Sequence, residues 1–217
     1  MCGRYRLMKL NLLLHAFPWI TGLPFGEAER EDIAPTEAVL VISSDKPDAF
    51  DRYRWGLVPA WAKDPSVGNR MFNARAETLA EKSAFRNALR KRRCLIPADG
   101  FYEWKKEPGN KHKTKVLYEL ASGEPFAFAG LWELWRDANG KELRSCTLIT
   151  TTPNELVKPV HDRMPAIVSP ANYREWISSA EIPPAELAEL LGPYPADQMR
   201  SEAAEPIQPA KTPTLFD

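Results

Sequence analysis

Residues 124–135, EPFAFAGLWELW, are followed by RDANGKE at 136–142 and LRSCTLITT at 143–151. Small and aromatic residues alternate in the first segment, the period of a strand with two different faces. Asn139-Gly140 between the segments is the strongest hairpin signal in the chain, because both residues tolerate a positive φ. Glu124–Trp135 and Leu143–Thr151 are therefore expected to pair antiparallel. A chain built around such a hairpin is not a helical bundle, and its 20 prolines point the same way.

Further strands are expected on both sides of the hairpin. Ala38–Ser43 is a β-branched run, Tyr53–Trp61 is a strand and bend broken by Gly56 and Pro59, and Val116–Leu120 is a third strand. Cys94–Lys106 reads as a strand punctuated by Pro97 and Gly100. Ile33-Ala34-Pro35-Thr36 reads as a turn. Short helices are expected at Leu10–Phe17, from Ser169-Pro170 to Ile177, and at Pro184–Leu191, the last closed by Gly192. Thr78-Leu79-Ala80-Glu81 fits a capping box that would open another helix, with Leu79, Ala84, Phe85, Ala88 and Leu89 on one stripe. There is no regular βαβ alternation. The expected class is α+β, with a largely antiparallel, barrel-like sheet core and flanking short helices. Residues 1–192 are expected to form one domain, and 193–217 a Pro-rich acidic tail without fixed structure.

The chain has 217 residues, 44% hydrophobic and 27% charged. At this length about 70% of the open chain's surface can be buried, enough for a core without disulfide or metal staples. Three cysteines (Cys2, Cys94 and Cys146) with no C-x-x-C argue against a disulfide framework and a thiolate zinc site. No apolar run approaches the ~20 residues of a spanning helix, and no signal peptide is read at the start, so a cytoplasmic location without a membrane partner is expected. The formal net charge is zero, but residues 86–115 carry +7 and residues 181–217 carry −5. The basic window is either a phosphate-attracting face or a solvated helix face plus a loop.

Four groups of residues carry chemistry. Cys2 follows the initiator Met and precedes Gly3. Removal of Met1 would leave a free α-amine and a thiol on adjacent carbons, with pKa values of about 8 and 8.5. Such a pair condenses with an aldehyde to an imine, and the sulfur then closes a five-membered thiazolidine ring. Asn73-Ala74-Arg75-Ala76-Glu77 offers an amide and a guanidinium fork suited to phosphate or carboxylate, though taken alone it reads first as a polar strand end and helix lead-in. In Pro97-Ala98-Asp99-Gly100-Phe101-Tyr102-Glu103-Trp104, Glu103 interrupts an aromatic run. Facing inward, it would be a carboxyl in poor solvent able to act as acid and then base; facing outward, it would be a solvated charge. Val160-His161-Asp162-Arg163-Met164-Pro165 places a histidine beside an acid and a base, either as an acid/base group or, as is commoner for a lone histidine, as a structural one. Trp61, beside Pro59, is either core packing or a stacking platform for bases. His15 and His112 receive no role.

These motifs occur in one order along the chain: Met1-Cys2-Gly3-Arg4, Ile33-Ala34-Pro35, Trp55-Gly56-Leu57-Val58-Pro59, Asn73 to Glu77, Ala98 to Trp104, and His161 to Pro165. Together they resemble the SRAP, or SOS-response-associated peptidase, family over about residues 2–178. The resemblance implies a sensor of abasic sites in single-stranded DNA that crosslinks the ring-opened sugar through Cys2 once Met1 is removed by self-processing or an aminopeptidase. It implies that Asn73 hydrogen-bonds at the reacting sugar or the Cys2 amine, and that Glu103 and His161 move protons. Arg4, Arg75 and Arg163 would hold phosphates, and Trp61 would stack on bases or wedge against them. Pro35 and Thr150 would lie beside the reacting terminus. No metal or other cofactor is implied, and a monomer is expected. Thr214-Leu215-Phe216-Asp217 is similar to short bacterial sliding-clamp peptides, which makes a clamp a second candidate partner. Two other readings stand beside this one: an N-terminal-cysteine glutamine amidotransferase, and a single-strand binder in which Cys2 is incidental.

Overall fold

In the computed structural model, which describes residues 2–107, 109, 112–178 and 180–204, the 124–151 stretch forms the expected hairpin. Phe126–Arg136 and Glu142–Thr151 pair antiparallel, with Trp135 opposite Leu143 and Gly130 opposite Leu148. The connection is longer than a two-residue turn. Gly140 has φ +81°, but Asn139 does not share the left-handed region. Instead the Asp137 carboxylate accepts from the backbone N–H groups of Asn139 and Lys141, both at 2.8 Å. An acid at the loop start thus supplies the acceptor that a tighter turn would draw from the backbone.

In chain order the elements are β1 (Tyr5–Leu7), α1 (Leu10–Ala16), β2 (Arg30–Ile33), β3 (Ala38–Ser43), β4 (Lys46–Trp55) and β5 (Asn73–Arg75). Then come α2 (Arg86–Lys91), β6 (Arg93–Ala98), β7 (Gly100–Lys106), β8 (Lys113–Leu120), β9 (Phe126–Arg136) and β10 (Glu142–Thr151). The chain continues through β11 (Met164–Pro165), β12 (Ile167–Val168), α3 (Tyr173–Trp176), α4 (Pro184–Leu190) and β13 (Met199–Ala203). Strands β3, β4, β10, β9 and β6 pair in a ring and close a five-stranded barrel. All of its pairings are antiparallel except β4 with β10. A second sheet, in the order β13-β8-β7-β1-β2, is wholly antiparallel. The class is α+β, as the alternation in the sequence indicates.

The barrel is narrow enough that residue size matters. A Cβ on Gly130 of β9 would lie 2.9 Å from both Cys94 Sγ and Ile96 Cδ1. Aromatic residues join barrel and sheet. Tyr5 of β1 meets Trp55 and Phe128 edge-on at 5.3 and 5.6 Å, and Phe101 of β7 stacks on Tyr118 of β8 at 5.0 Å. Each of these rings is almost wholly buried, and each contributes packing beyond its area.

Four expectations need correction. Cys94–Lys106 is not one strand. β6 belongs to the barrel and β7 to the second sheet, and the break is at Asp99. The buried Asp99 carboxylate accepts from the N–H of Lys9 at 2.7 Å, from the N–H of Met8, and from Arg6 Nε at 3.0 Å. This carboxylate thus serves the open amides before α1. The Thr78 capping box does not form. Thr78 ends a 3₁₀ turn, its hydroxyl donates back to Arg75 O at 3.5 Å, and the helix starts only at Arg86.

The basic window is not one face either. Arg93 is buried and donates to the carbonyls of Leu89, Trp176, Ser178 and Ala180, whereas Lys105, Lys106, Lys113 and Lys115 lie on β7 and β8 of the other sheet. The expected tail starts too early: Ala196–Gln198 form a 3₁₀ turn and β13 pairs with β8 from Met199↔Leu120 to Ala203↔Val116. Thr214-Leu215-Phe216-Asp217, with the clamp expectation, lies outside the described residues.

Candidate active site

Strand β1 carries the start of the chain across the second sheet. Tyr5 pairs with Phe101, and Tyr102 N donates to Arg4 O at 3.0 Å, so Cys2 is drawn alongside the outgoing end of β7. Cys2 is fully buried, and its thiol points to Arg4 O at 3.7 Å. Burial, and next the nearby Glu103 carboxylate, push the thiol well above its ordinary value. In this environment the sulfur is a protonated thiol, not a standing thiolate.

Asn73 reaches Cys2 from the barrel. β5 runs parallel to β10, with Asn73 opposite Leu148 and Arg75 opposite Thr150. From there Asn73 Nδ2 donates to Cys2 O at 2.7 Å. Its Oδ1 is buried with no hydrogen-bond partner among the described residues. An acceptor in this position is an uncompensated cost unless a donor arrives.

Glu103 faces inward. Alternation along β7 puts it on the side of Phe101, and Val116 of β8 lies opposite. Only 3% of it is exposed. Burial raises its carboxyl to about 7, with the α-amine at the chain's start and Lys113 opposing the rise and Asp162 adding to it. A carboxyl at this value exists in both protonation states near neutrality and can donate or take a proton.

His161 faces Glu103 across a cleft of about 530 Å³, which Trp104, Lys106, Lys113 and Asp162 also line. It follows the Asn154–Val160 turns, and its N–H donates to Val157 O at 3.0 Å. Its Nδ1 accepts from Arg163 N at 3.0 Å and lies 2.9 Å from Asp162 Oδ1. These two contacts belong to different protonation states: the first needs a lone pair on Nδ1, the second a proton. Burial lowers the imidazole's pKa, which favours the neutral ring.

Among the remaining expected site residues, Arg75 is exposed at the end of β5. Arg4 is half-buried, donates to Gly3 O at 2.9 Å and pairs with Asp32 at 3.2 Å. Both are placed where a phosphate could reach them. Arg163 is different. Its guanidinium is buried, forks onto Glu77 at 2.6 and 2.9 Å, and donates to Thr150 O at 2.5 Å, while its Nε has no hydrogen-bond partner among the described residues. Thr150 is fully buried, with its hydroxyl 3.5 Å from Ala74 O. Pro35 lies half-buried in the expected turn, where the next residue, Thr36, has φ +80°. Trp61 is 63% exposed on the turn after Pro59.

The loop bearing Trp61 is held from below. Trp135 Nε1 donates to Ala62 O at 2.7 Å. At the loop's root Gly56 has φ +135°, and a Cβ there would meet Gly68 O at 2.5 Å. Both the backbone angle and the close approach require glycine.

Sequence reasoning missed the cleft residues Trp104 and Lys113, and it gave Glu77 no role. Trp104 follows Glu103 directly in β7, whereas Lys113 comes opposite Lys106 only through the β7–β8 register. Among the described residues no group of three or more His, Cys, Asp and Glu side chains could hold a metal ion. No helix of the described residues is long and apolar enough to cross a membrane.

Comparison with known proteins gives the chain a family. The family model for SOS response associated peptidase (SRAP) matches residues 1–206. The chain is 44% identical over 205 residues to the abasic site processing protein YoqW of Bacillus subtilis, covering 93% of this chain and 91% of that protein. It is 42% identical over 221 residues to the abasic site processing protein YobE of the same organism, covering 100% and 99%. A crystal structure of a protein from Bacteroides thetaiotaomicron superposes with a TM-score of 0.84 at 26% identity, covering 94% of this chain and 92% of that one. By its motifs, its fold and a family model that runs nearly its whole length, the chain belongs to the SOS response associated peptidase (SRAP) family.

Proposed function

We propose that this protein processes abasic sites in single-stranded DNA by forming a thiazolidine crosslink at Cys2 after Met1 is removed. The names of its relatives support the lesion. The observation that carries the chemistry is the position of Cys2. Asn73 grips its carbonyl, and the Glu103 carboxyl, poised near neutrality, is close enough to perturb its thiol.

The steps balance without a cofactor. The ring-opened deoxyribose offers an aldehyde. The Cys2 α-amine adds to its carbon, and loss of one water gives an imine. The thiol then adds to the imine carbon, its proton passes to the nitrogen, and the five-membered ring closes. Because the thiol is held protonated, a base must take its proton as the carbon–sulfur bond forms. Glu103 in its carboxylate form does this. In its acid form it protonates the departing hydroxyl of the earlier step. His161, neutral with its proton on Nε2, donates to the sugar oxygen as the ring opens. The unpaired Asn73 Oδ1 accepts from the sugar or from the new amine. Arg4 and Arg75 hold flanking phosphates, which position the strand without reading sequence. Selectivity follows from the chemistry, since an intact nucleotide presents no aldehyde.

The test is to incubate the purified protein with single-stranded DNA carrying one abasic site and to weigh the intact product. The expected result is a single adduct on a chain lacking Met1, mapped to Cys2, stable without borohydride, and absent in Cys2→Ala. No adduct on a chain confirmed to begin at Cys2 overturns the covalent reading and leaves plain DNA binding. Release of ammonia from glutamine would point instead to an amidotransferase.

A further inference from the structure

The geometry points to Glu77 as a positioning residue that, through Arg163, holds the proton of His161 on Nε2. The inference rests on the proposed role of His161, but its central observable does not. Glu77 follows the β5 strand that carries Asn73, and Arg163 lies two residues beyond His161. The Arg163 guanidinium forks onto both Glu77 oxygens at 2.6 and 2.9 Å, and the same group donates to Thr150 O at 2.5 Å on β10. A bidentate fork fixes direction as well as distance.

Immediately after Arg163, Met164 and Pro165 pair with Thr151 and Thr150. Residue 163 is therefore held by its side chain and by the strand that follows, and its N–H is aimed at His161 Nδ1 at 3.0 Å. That hydrogen bond decides the tautomer, because a nitrogen that accepts from an N–H carries no proton. Asp162 competes for the same nitrogen at 2.9 Å and would draw a proton onto it. Among the groups around the imidazole are Asp162 and the Arg163 backbone at Nδ1, the α-amine at the chain's start and the Arg163 guanidinium, with Glu103, Lys106 and Lys113 lining the cleft it faces. The Glu77–Arg163 fork favours the backbone contact over the aspartate.

The same geometry accounts for an acid in the Asn73–Glu77 motif that makes no contact with the Cys2 end of the site. Glu77 sets the proton position on a catalytic group across the barrel strand and itself touches no reacting atom. Arg163, buried and forked, acts as the link.

The test compares the full-length protein with Glu77→Ala and Glu77→Gln, reading the His161 ring nitrogens by NMR at pH 8, where only two other histidines need to be distinguished. The wild-type protein is expected to show the Nε2–H form. Glu77→Ala should show the Nδ1–H form several-fold increased, and Glu77→Gln, whose amide oxygen still accepts one Arg163 N–H, should fall between. The crosslinking rate should fall by about tenfold in Glu77→Ala, a fraction of the effect that general acid–base groups supply, with its pH profile displaced. An unchanged tautomer and pH profile in a folded Glu77→Ala protein overturns the inference. If the wild-type protein forms no crosslink, the proposed function fails, and the tautomer measurement still decides the role of Glu77.

Discussion

Asn73 Nδ2 donates to the carbonyl of Cys2 at 2.7 Å, tying the start of the chain to a strand 71 residues further on. The bond places Cys2, three residues before β1 of the second sheet, against the barrel. It uses the donor end of the amide, so the acceptor end remains buried and available to a ligand.

The direction of that bond makes a specific prediction for variants at residue 73. Asn73→Ala removes the donor and should slow crosslinking by about an order of magnitude through lost positioning. Asn73→Asp should be worse, because a carboxylate cannot donate to the Cys2 carbonyl and sets charge against it. Single-turnover crosslinking rates decide this; an aspartate variant faster than the alanine variant contradicts the assigned orientation.

Glu103 links pH to both rate and stability. Its carboxyl stands near 7 in the folded protein against an ordinary 4.5. A carboxyl raised on folding holds its proton more tightly in the native state, so its contribution is most favourable below about pH 4.5. That contribution is lost as pH rises toward 7, where the charge becomes buried. Glu103→Gln should therefore stabilise the protein at pH 8 by about 2 kcal/mol relative to wild type and have little effect at pH 4. It should also slow crosslinking and remove the part of the pH–rate profile centred near neutrality. Urea midpoints at the two pH values test the first expectation, and an equal difference at both would contradict the buried-carboxyl account.

Trp61 projects into solvent from a loop anchored at Trp135 and Gly56. A base stacked on an aromatic ring is worth about 1–3 kcal/mol, so Trp61→Ala should weaken non-covalent single-strand binding by roughly 5- to 150-fold. Stability should stay within about 0.5 kcal/mol, because the ring covers little of the core. Fluorescence anisotropy with Cys2→Ala as background separates binding from crosslinking. Equal affinities in the two proteins would leave Trp61 with no part in binding.

Arg93 makes a prediction unrelated to chemistry. Its buried guanidinium donates to carbonyls at Leu89, Trp176, Ser178 and Ala180, at 2.6 to 2.8 Å, pinning the segment after α3 to the barrel. Arg93→Ala strands those carbonyls and should cost about 3 kcal/mol or more. Arg93→Lys, with one ammonium in place of the fork, should recover only part of this. Thermal unfolding measures both, and a drop confined to DNA binding would argue instead for a surface role.

Local pattern went far toward the fold. Alternation at 124–135 and the loop at 139–140 marked the β9–β10 hairpin, and Ala38–Ser43 matched β3 end to end. Punctuation was read less well. Pro97 lies within β6 and Gly100 opens β7, but the change of sheet depends on Asp99, whose three donors lie near residue 8. The Thr78 box failed for a similar reason. A cap motif forms only if the chain beyond it is free to coil, and here Ala76–Thr78 continues from a strand paired with β10. The basic run at 86–115 was legible as charge, yet one of its members is a buried carbonyl clamp.

By itself the sequence determined which chemistry was available. A thiol at Cys2, an amide at Asn73, a carboxyl at Glu103 and an imidazole at His161 are facts of residue type, and their motifs follow one order along the chain. Only the tertiary structure decided what those groups are. The parallel pairing of β5 with β10 brings Asn73 to Cys2. The β7–β8 register turns Glu103 inward and raises its carboxyl. The fork of Arg163 onto Glu77 ties the His161 segment to the residue that follows β5. Long-range pairings and burial leave no local signature, because each depends on what the rest of the chain places opposite. Proton affinity follows from that surrounding medium and not from the residue's name.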